Sequence, residues 1–380
     1  MVISNHNKPK PKNQKPNLKI IDWYILKRFL VTFLFTLLIL IPIALAIDIS
    51  EKIDNFLEHV DLGFYQIADE YYKNFIIYYT NTFMPLALFI AVILFTSKLS
   101  NNTEIIAITN AKVSFQRFLY PYIIGATLVT MLSLLMNHLV VPNSSITRKK
   151  FEKEFINTRS QKQEFKYISD FSLQLTDSTY IFIRNFNTET NSGYDFTSEV
   201  YDGLELKSKL VADNLKYQNK DSTFSLQNWR LRKIYKDRDS IFSGRKIDTV
   251  FSFTPKDLIY KSALAQEMPS DELYKFIEVS RKRGVKNLNA YLVEFHKRTS
   301  LPMASYILTI IAVALAYRKR RGGTGVNLAI GIGLMFVYVF LMKISEVLGA
   351  VAGVNSLLYV WMPNLFFGCV AIYLYFNARK

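Results

Sequence analysis

Six stretches of this chain run for at least 18 residues without a single Asp, Glu, Lys or Arg, and nothing else in it constrains the fold so strongly. They are Leu30–Ile47, Phe75–Phe95, Phe118–Val141, Ser300–Tyr317, Gly325–Met342 and Leu357–Phe376. A helix needs about 20 apolar residues to cross the hydrocarbon of a bilayer, and it satisfies its own backbone there without water. Six membrane helices are therefore predicted. Composition agrees, with 50% hydrophobic and 21% charged residues and a mean hydropathy of +0.11. Twenty-nine Phe and 23 Tyr exclude a disordered chain, and a single cysteine excludes a disulfide scaffold. Pro42, Pro85, Pro121 and Pro363 fall inside the apolar stretches, where membrane helices tolerate proline as a kink.

The net charge of +16 is read against a membrane first. With the amino terminus inside, the inner segments hold Lys8, Lys10, Lys12, Lys15, Lys19, Lys27, Arg28, Lys98, Lys112, Arg117, Arg318, Lys319, Arg320, Arg321, Arg379 and Lys380. The short outer loops hold only Lys52, Lys73 and Lys343. Sixteen against three places both termini in the cytoplasm by the positive-inside rule. The long connection carries 28 basic and 21 acidic residues, too balanced for a nucleic-acid binder, so no nucleic acid is expected as a partner.

That connection is too long to be a structureless loop and must be a domain. Apolar and polar residues alternate through Leu173–Leu175, Tyr180–Ile183, Leu204–Leu206, Phe224–Leu231 and Val250–Phe253, with polar turn clusters between them. The expected fold is a membrane α-helical protein of six transmembrane helices with an inserted extracytoplasmic β-jellyroll-like or sandwich domain. Its divisions are a basic cytoplasmic tail (1–19), helices one to three with a coupling helix (20–141), the β domain (142–269), a helical connector (270–299) and helices four to six (300–380). The connector begins at Ser270-Asp271-Glu272, a helix start, and Gly284 is a candidate stop.

Reactive chemistry is not legible. The run Arg321–Gly325 has glycines without the Lys-Ser/Thr end of a phosphate loop, the four histidines show no metal-ligand spacing, and no nucleophile elbow occurs. No cofactor is expected. Gradient-coupled carriers carry ionisable groups within their spans, and these spans have none; Asn137 and His138 near the outer end are the nearest exception. The most informative segment is instead Thr103-Glu104-Ile105-Ile106-Ala107-Ile108, too apolar for a solvated loop. Either it offers Ile105, Ile106 and Ile108 to a protein groove and Glu104 to a basic rim, or it lies on lipid.

Taken together, the residues resemble the LptF/LptG permease family of the lipopolysaccharide export system. Asp22-Trp23-Tyr24 with Lys27-Arg28-Phe29, the acidic stretch Asp48–Phe56, Glu104-Ile105-Ile106-Ala107 followed by Asn110–Ser114, Asp271-Glu272-Leu273 with Ile277 and Arg283-Gly284, and Glu294–Pro302 all resemble family segments. Lys112 departs from the pattern, which has a glycine there.

The resemblance implies a transport subunit rather than an enzyme. It implies pairing with a second LptF/LptG-like permease, a dimeric ATP-binding-cassette ATPase that hydrolyses the ATP and receives the Glu104 helix, lipopolysaccharide as substrate and a periplasmic jellyroll bridge as acceptor. It places the first and fifth helices at a lateral entry, so Tyr24, Lys27, Arg28, Lys52, Lys343 and Glu346 are candidate gate residues. Spacing alone also allows Lys343 to pair with Glu346 and Lys52 with Glu51 or Asp54. Phe224, Leu226 and Phe253 are either an acyl-chain groove or sandwich core. The rival reading is a membrane-anchored β domain acting as a structural or interaction protein.

Overall fold

The computed structural model describes residues 20–59, 62–156, 167–218, 221–235, 238–255, 262–282, 288–318 and 323–379. The basic tail 1–19, Lys319–Arg321 and Arg283-Gly284 lie outside them. Each charge-free stretch sits inside a longer helix: α1 (Ile20–Leu57), α2 (Phe64–Asn101), α4 (Phe115–Ile156), α7 (Asn289–Tyr317), α8 (Gly323–Gly349) and α9 (Ser356–Arg379). A short helix, α3 (Glu104–Asn110), joins α2 to α4. At 1.5 Å per residue α1 is about 57 Å long, nearly twice a hydrocarbon core of about 30 Å, so its charged end extends past the lipid tails.

Helices α2 and α7 form the centre, with 67% and 61% of their most apolar windows buried, against 17% for α1. The fully buried residues of α1 all lie in its first half, from Asp22 and Ile25 to Leu37; its second half is half-buried along one side, where Ala44, Leu45 and Phe56 pack on the Tyr71, Phe75 and Phe151 cluster. The approach of α1 to α4 requires Gly125, where a side chain would overlap the Phe29 ring. Tyr122 stacks on Phe29 at 5.2 Å beside it. A buried polar seam runs through the bundle. Asn81 Nδ2 donates to Asn137 Oδ1 (2.6 Å), Ser133 Oγ donates to Asn81 Oδ1 (2.8 Å), and Asn137 Nδ2 donates to the Arg298 carbonyl (3.2 Å).

Between α4 and α7 the chain forms β1 (Tyr167–Thr176), β2 (Thr179–Asn187), β3 (Ser192–Asp202), β4 (Glu205–Gln218), β5 (Thr223–Ile234) and β6 (Asp239–Thr249). They make one open antiparallel sheet in sequence order. The inserted antiparallel domain is thus present as a six-strand meander, and the two-sheet sandwich is not formed among the described residues. Val250–Phe253 is corrected: it follows β6 outside the ladder. With no partner strand to pair, it packs by its side chains, Phe251 on Phe196 (5.2 Å) and Phe253 on Phe224 (4.6 Å).

The sheet changes face partway along its strands. Two paired rows cross it, Phe171–Ile183–Phe196–Ala212–Trp229–Gly244 and Ser169–Asn185–Tyr194–Asn214–Gln227–Lys246. The ladder skips the row between them, in which Asp170, Asp195 and Asn228 adopt positive φ (51°, 53° and 52°). Asp and Asn tolerate this left-handed conformation better than other residues with a Cβ. Two successive side chains then point outward, as with Arg184 and Asn185, before Phe186 turns in again. Arg184 bridges Asp195 at 3.0 Å and Asn228 donates to Asp213 at 3.0 Å along this row.

The return to the membrane uses α5 (Ser262–Glu267) and α6 (Ser270–Lys282). Asp271 and Glu272 open α6 and Arg281 and Lys282 close it, each complementing the helix dipole, while Leu273 and Ile277 face inward. Arg298, 3% exposed, donates to the carbonyls of Ala265 (2.9 Å) and Met268 (2.8 Å) and to Ser270 Oγ (2.8 Å). It thereby satisfies carbonyls released at the end of α5 and joins the β domain's return to α7.

Candidate functional site

At the end of the bundle opposite the β domain, α3 is bracketed by two left-handed residues, Thr103 (φ 63°) and Lys112 (φ 57°). Two reversals within ten residues swing the chain out of α2 and back into α4, which Ser114 caps by accepting from the Arg117 amide at 3.3 Å. Lys112 thus occupies a conformation natural to glycine, which explains why a glycine suits that position.

The three isoleucines do not share a face. Ile105 is buried in the protein's own membrane core at 4% exposure and Ile108 packs against that core, so neither is available to a partner. This corrects the expectation that Ile105, Ile106 and Ile108 act together: helical spacing turns Ile105 inward when Ile106 turns out. The outward face comprises Thr103, Ile106, Ala107 and Asn110, spaced three, one and three residues apart along one side of the helix.

Glu104 is half-buried at the edge of that face, on the side toward α1. Its carboxylate accepts from Tyr24 Oη and from Asn102 Nδ2, both at 3.3 Å. Arg28 lies over the Tyr24 ring at 5.4 Å, and Lys27 is exposed beside it. Asp22, 2% exposed, pairs with Arg117 at the start of α4. Thr109 Oγ1 meets Tyr317 Oη at 3.2 Å, tying α3 to the end of α7 as well. The first turns of α1 are therefore fastened to both α3 and α4.

The other gate candidates lie at the β-domain end. Tyr24 and Lys52 are 28 positions apart on one helix, about 42 Å at 1.5 Å per residue, so they cannot meet one headgroup. Lys52 pairs with Asp48 one turn back (2.6 Å), not with Glu51 or Asp54, and donates to Tyr71 Oη. Tyr71 Oη in turn donates to Asp48 (3.0 Å), inside a cluster of Phe56, Tyr72, Phe75 and Phe151 rings. Lys343 pairs with Glu346 at 3.0 Å, and Glu346 also bridges Lys297 of α7 at 2.9 Å. Lys297 and Arg298 escaped the sequence reading because they stand just before the charge-free stretch that begins at Ser300; the sequence signal for both was their place in the Glu294–Pro302 segment.

His138 accepts or donates at Ser270 Oγ (2.7 Å), so it belongs to the joint around Arg298. In the β domain Phe224 and Leu226 are fully buried and Phe253 is 3% exposed, all within one core cluster. Outside the membrane, Lys209 opposite Glu199 (2.9 Å) holds that carboxyl below its ordinary range, with Tyr201 donating to the same group.

Six long helices, a sheet inserted after the third and a short loop helix held against the first define a polytopic membrane subunit with an inserted β domain. The model of the lipopolysaccharide export system permease LptF/LptG matches residues 23–377, nearly the whole chain, and the chain belongs to that family. It is accordingly a permease of the lipopolysaccharide export system, a subunit without catalytic activity of its own. No curated protein matches it.

Proposed function

We propose that this permease pairs with a second LptF/LptG-like chain on a dimeric ATP-binding-cassette ATPase, extracts lipopolysaccharide from the bacterial inner membrane and passes it to a periplasmic jellyroll bridge. The observation that carries the reading is the two-sidedness of α3. Thr103, Ile106, Ala107 and Asn110 face outward and Ile105 faces the core, while Glu104, half-buried at the edge between them, accepts from Tyr24 of α1. A partner that pushes on the outer face moves the residue that grips α1, so ATP-driven motion has a direct path to the helix at the lateral entry. A simple membrane anchor has no use for such an element. The basic bias of the short loops supports placing α3 and both termini in the cytoplasm and the sheet in the periplasm. On this reading Lys52, Lys343 and Glu346 stand at the substrate's level, and Phe224, Leu226 and Phe253 serve as core.

The test is Glu104→Arg in the full chain, which reverses the charge that Tyr24 holds. Membrane insertion should be unchanged, the ATPase and second permease should co-purify in reduced amount, and glycolipid export should stop. Full export by a correctly inserted Glu104→Arg chain would refute the coupling role. Recovery of the unsubstituted chain alone, under conditions that preserve other ATPase complexes, would favour the anchored β domain.

A further inference from the structure

A cavity of about 400 Å³ opens between α1, α2, α3 and the start of α8, at the end of the bundle remote from the β domain. Tyr24, Arg28, Thr32, Lys98, Glu104 and Thr324 supply its polar groups, and Phe95 is among its apolar lining. Two exposed cations therefore face one carboxylate. That carboxylate is already engaged by Tyr24 and Asn102, and neither Arg28 nor Lys98 forms an ion pair among the described residues. Arg28 is held instead over the Tyr24 ring, which orients the guanidinium without neutralising it.

The surface leading away from the cavity is apolar. Val31, Phe35 and Leu38 follow Arg28 along α1 at three- and four-residue spacing, and they are 45%, 63% and 68% exposed. A ligand that fits both parts needs an anionic head small enough for two cations and hydroxyl donors, and a hydrocarbon tail to cover the stripe. Guanidinium and ammonium groups at a lipid interface pair well with phosphate oxygens. We infer that this cavity binds the phosphodiester headgroup of an anionic membrane phospholipid, with an acyl chain lying down α1 over Val31, Phe35 and Leu38.

The site is separate from the one proposed for exported lipid, because its cation on α1, Arg28, stands about 36 Å from Lys52 by helix length. The inference requires only that the helices span a bilayer, so it stands or falls independently of the export reading.

The full chain, reconstituted in vesicles of equal phosphatidylglycerol and phosphatidylcholine and then released into mild detergent, is examined by native mass spectrometry. Phosphatidylglycerol should be retained over phosphatidylcholine by roughly tenfold to thirtyfold, the effect of two basic residues acting together at a membrane surface. The double variant Arg28→Gln/Lys98→Gln should lose the preference. The charge-preserving Arg28→Lys/Lys98→Arg should keep it, as should Lys27→Gln, whose cation lies outside the cavity lining. Equal retention by the double glutamine variant and the unsubstituted chain would overturn the site. Loss in the charge-preserving variant or in Lys27→Gln would also overturn it, as would displacement of the lipid by inorganic phosphate.

Discussion

The side-chain amide of Asn137 donates to the backbone carbonyl of Arg298, the carbonyl that Pro302, four residues on, has no N–H to serve. A helix broken by proline leaves that acceptor open inside the bundle, and a neighbouring helix supplies the donor. Asn137→Leu should lower the stability of the purified permease by about 1 kcal/mol, since interhelical bonds in membranes are worth about 0.6 kcal/mol and an orphaned acceptor adds to the loss. Adding Pro302→Ala should recover the part that comes from the Arg298 carbonyl, because the alanine N–H can serve it, and not the part that comes from Asn81. Thermal unfolding of the two variants decides the matter, and a second substitution without effect would show that Asn137 acts through Asn81 alone.

Glu346 has two cationic partners of unequal weight. Lys297 is 16% exposed and Lys343 is 68% exposed. Glu346→Leu leaves a nearly buried ammonium without its counter-ion and should cost about 3–5 kcal/mol. Lys343→Leu removes an exposed pair and should cost less than about 1 kcal/mol. Equal shifts in the thermal midpoint would mean that Lys297 finds another partner when Glu346 is removed.

Lys112 sits at φ 57° where a glycine carries no steric penalty. Lys112→Gly should relieve about 1 kcal/mol of local strain in the turn between α3 and α4. Slower amide exchange across Glu104–Asn110, with unchanged exchange in α9, is the expected signature. Faster exchange there would mean that the lysine side chain contributes contacts that outweigh its backbone cost.

Adjacent isoleucines in α3 should behave oppositely. Ile105→Glu buries a charge in the membrane core and should prevent accumulation of folded permease. Ile106→Glu alters a side chain 49% exposed and should leave the thermal midpoint nearly unchanged, while reducing recovery of the ATPase with the permease at least several-fold. Unaltered recovery with Ile106→Glu would remove α3's outer face from the docking surface.

The membrane half was legible because a charge-free run as long as the hydrocarbon layer is wide rarely belongs to a helix that stays in water. Its polar ends were legible only in part: Lys297 and Arg298 lie where the helix outruns the apolar stretch, and Asp48 and Lys52 were picked out without the Tyr71 hydroxyl that joins them. The sheet was half legible. In β5 the alternation is visible around Phe224 and Leu226, whereas in β3 the inward residues are Gly193, Phe196 and Ser198, a step of three and then two. The left-handed Asp195 inserts that extra step, so a strict period of two misses the strand. β6 escaped for a different reason: it is an edge strand with most of its residues exposed, and burial imposes little pattern on it. The position of α3 could be read from Glu104 and its neighbours, but the direction in which Ile105 points depends on where the helix begins, and the left-handed Thr103 sets that.

Helix α1 has the mechanics of a cantilever. Its root, Asp22 to Leu37, is gripped by the bundle, and the 20 residues from Leu38 to Leu57 form an arm of about 30 Å. A rotation of about 10° at the root carries the tip about 5 Å, more than the width of a hydrocarbon chain, with no bending of the helix. Asp48 and Lys52 share the Tyr71 hydroxyl near that tip. The long arm ends at Leu57 and the short arm is tied to Glu104 through Tyr24, so a small rotation at one end of the helix corresponds to a larger displacement at the other.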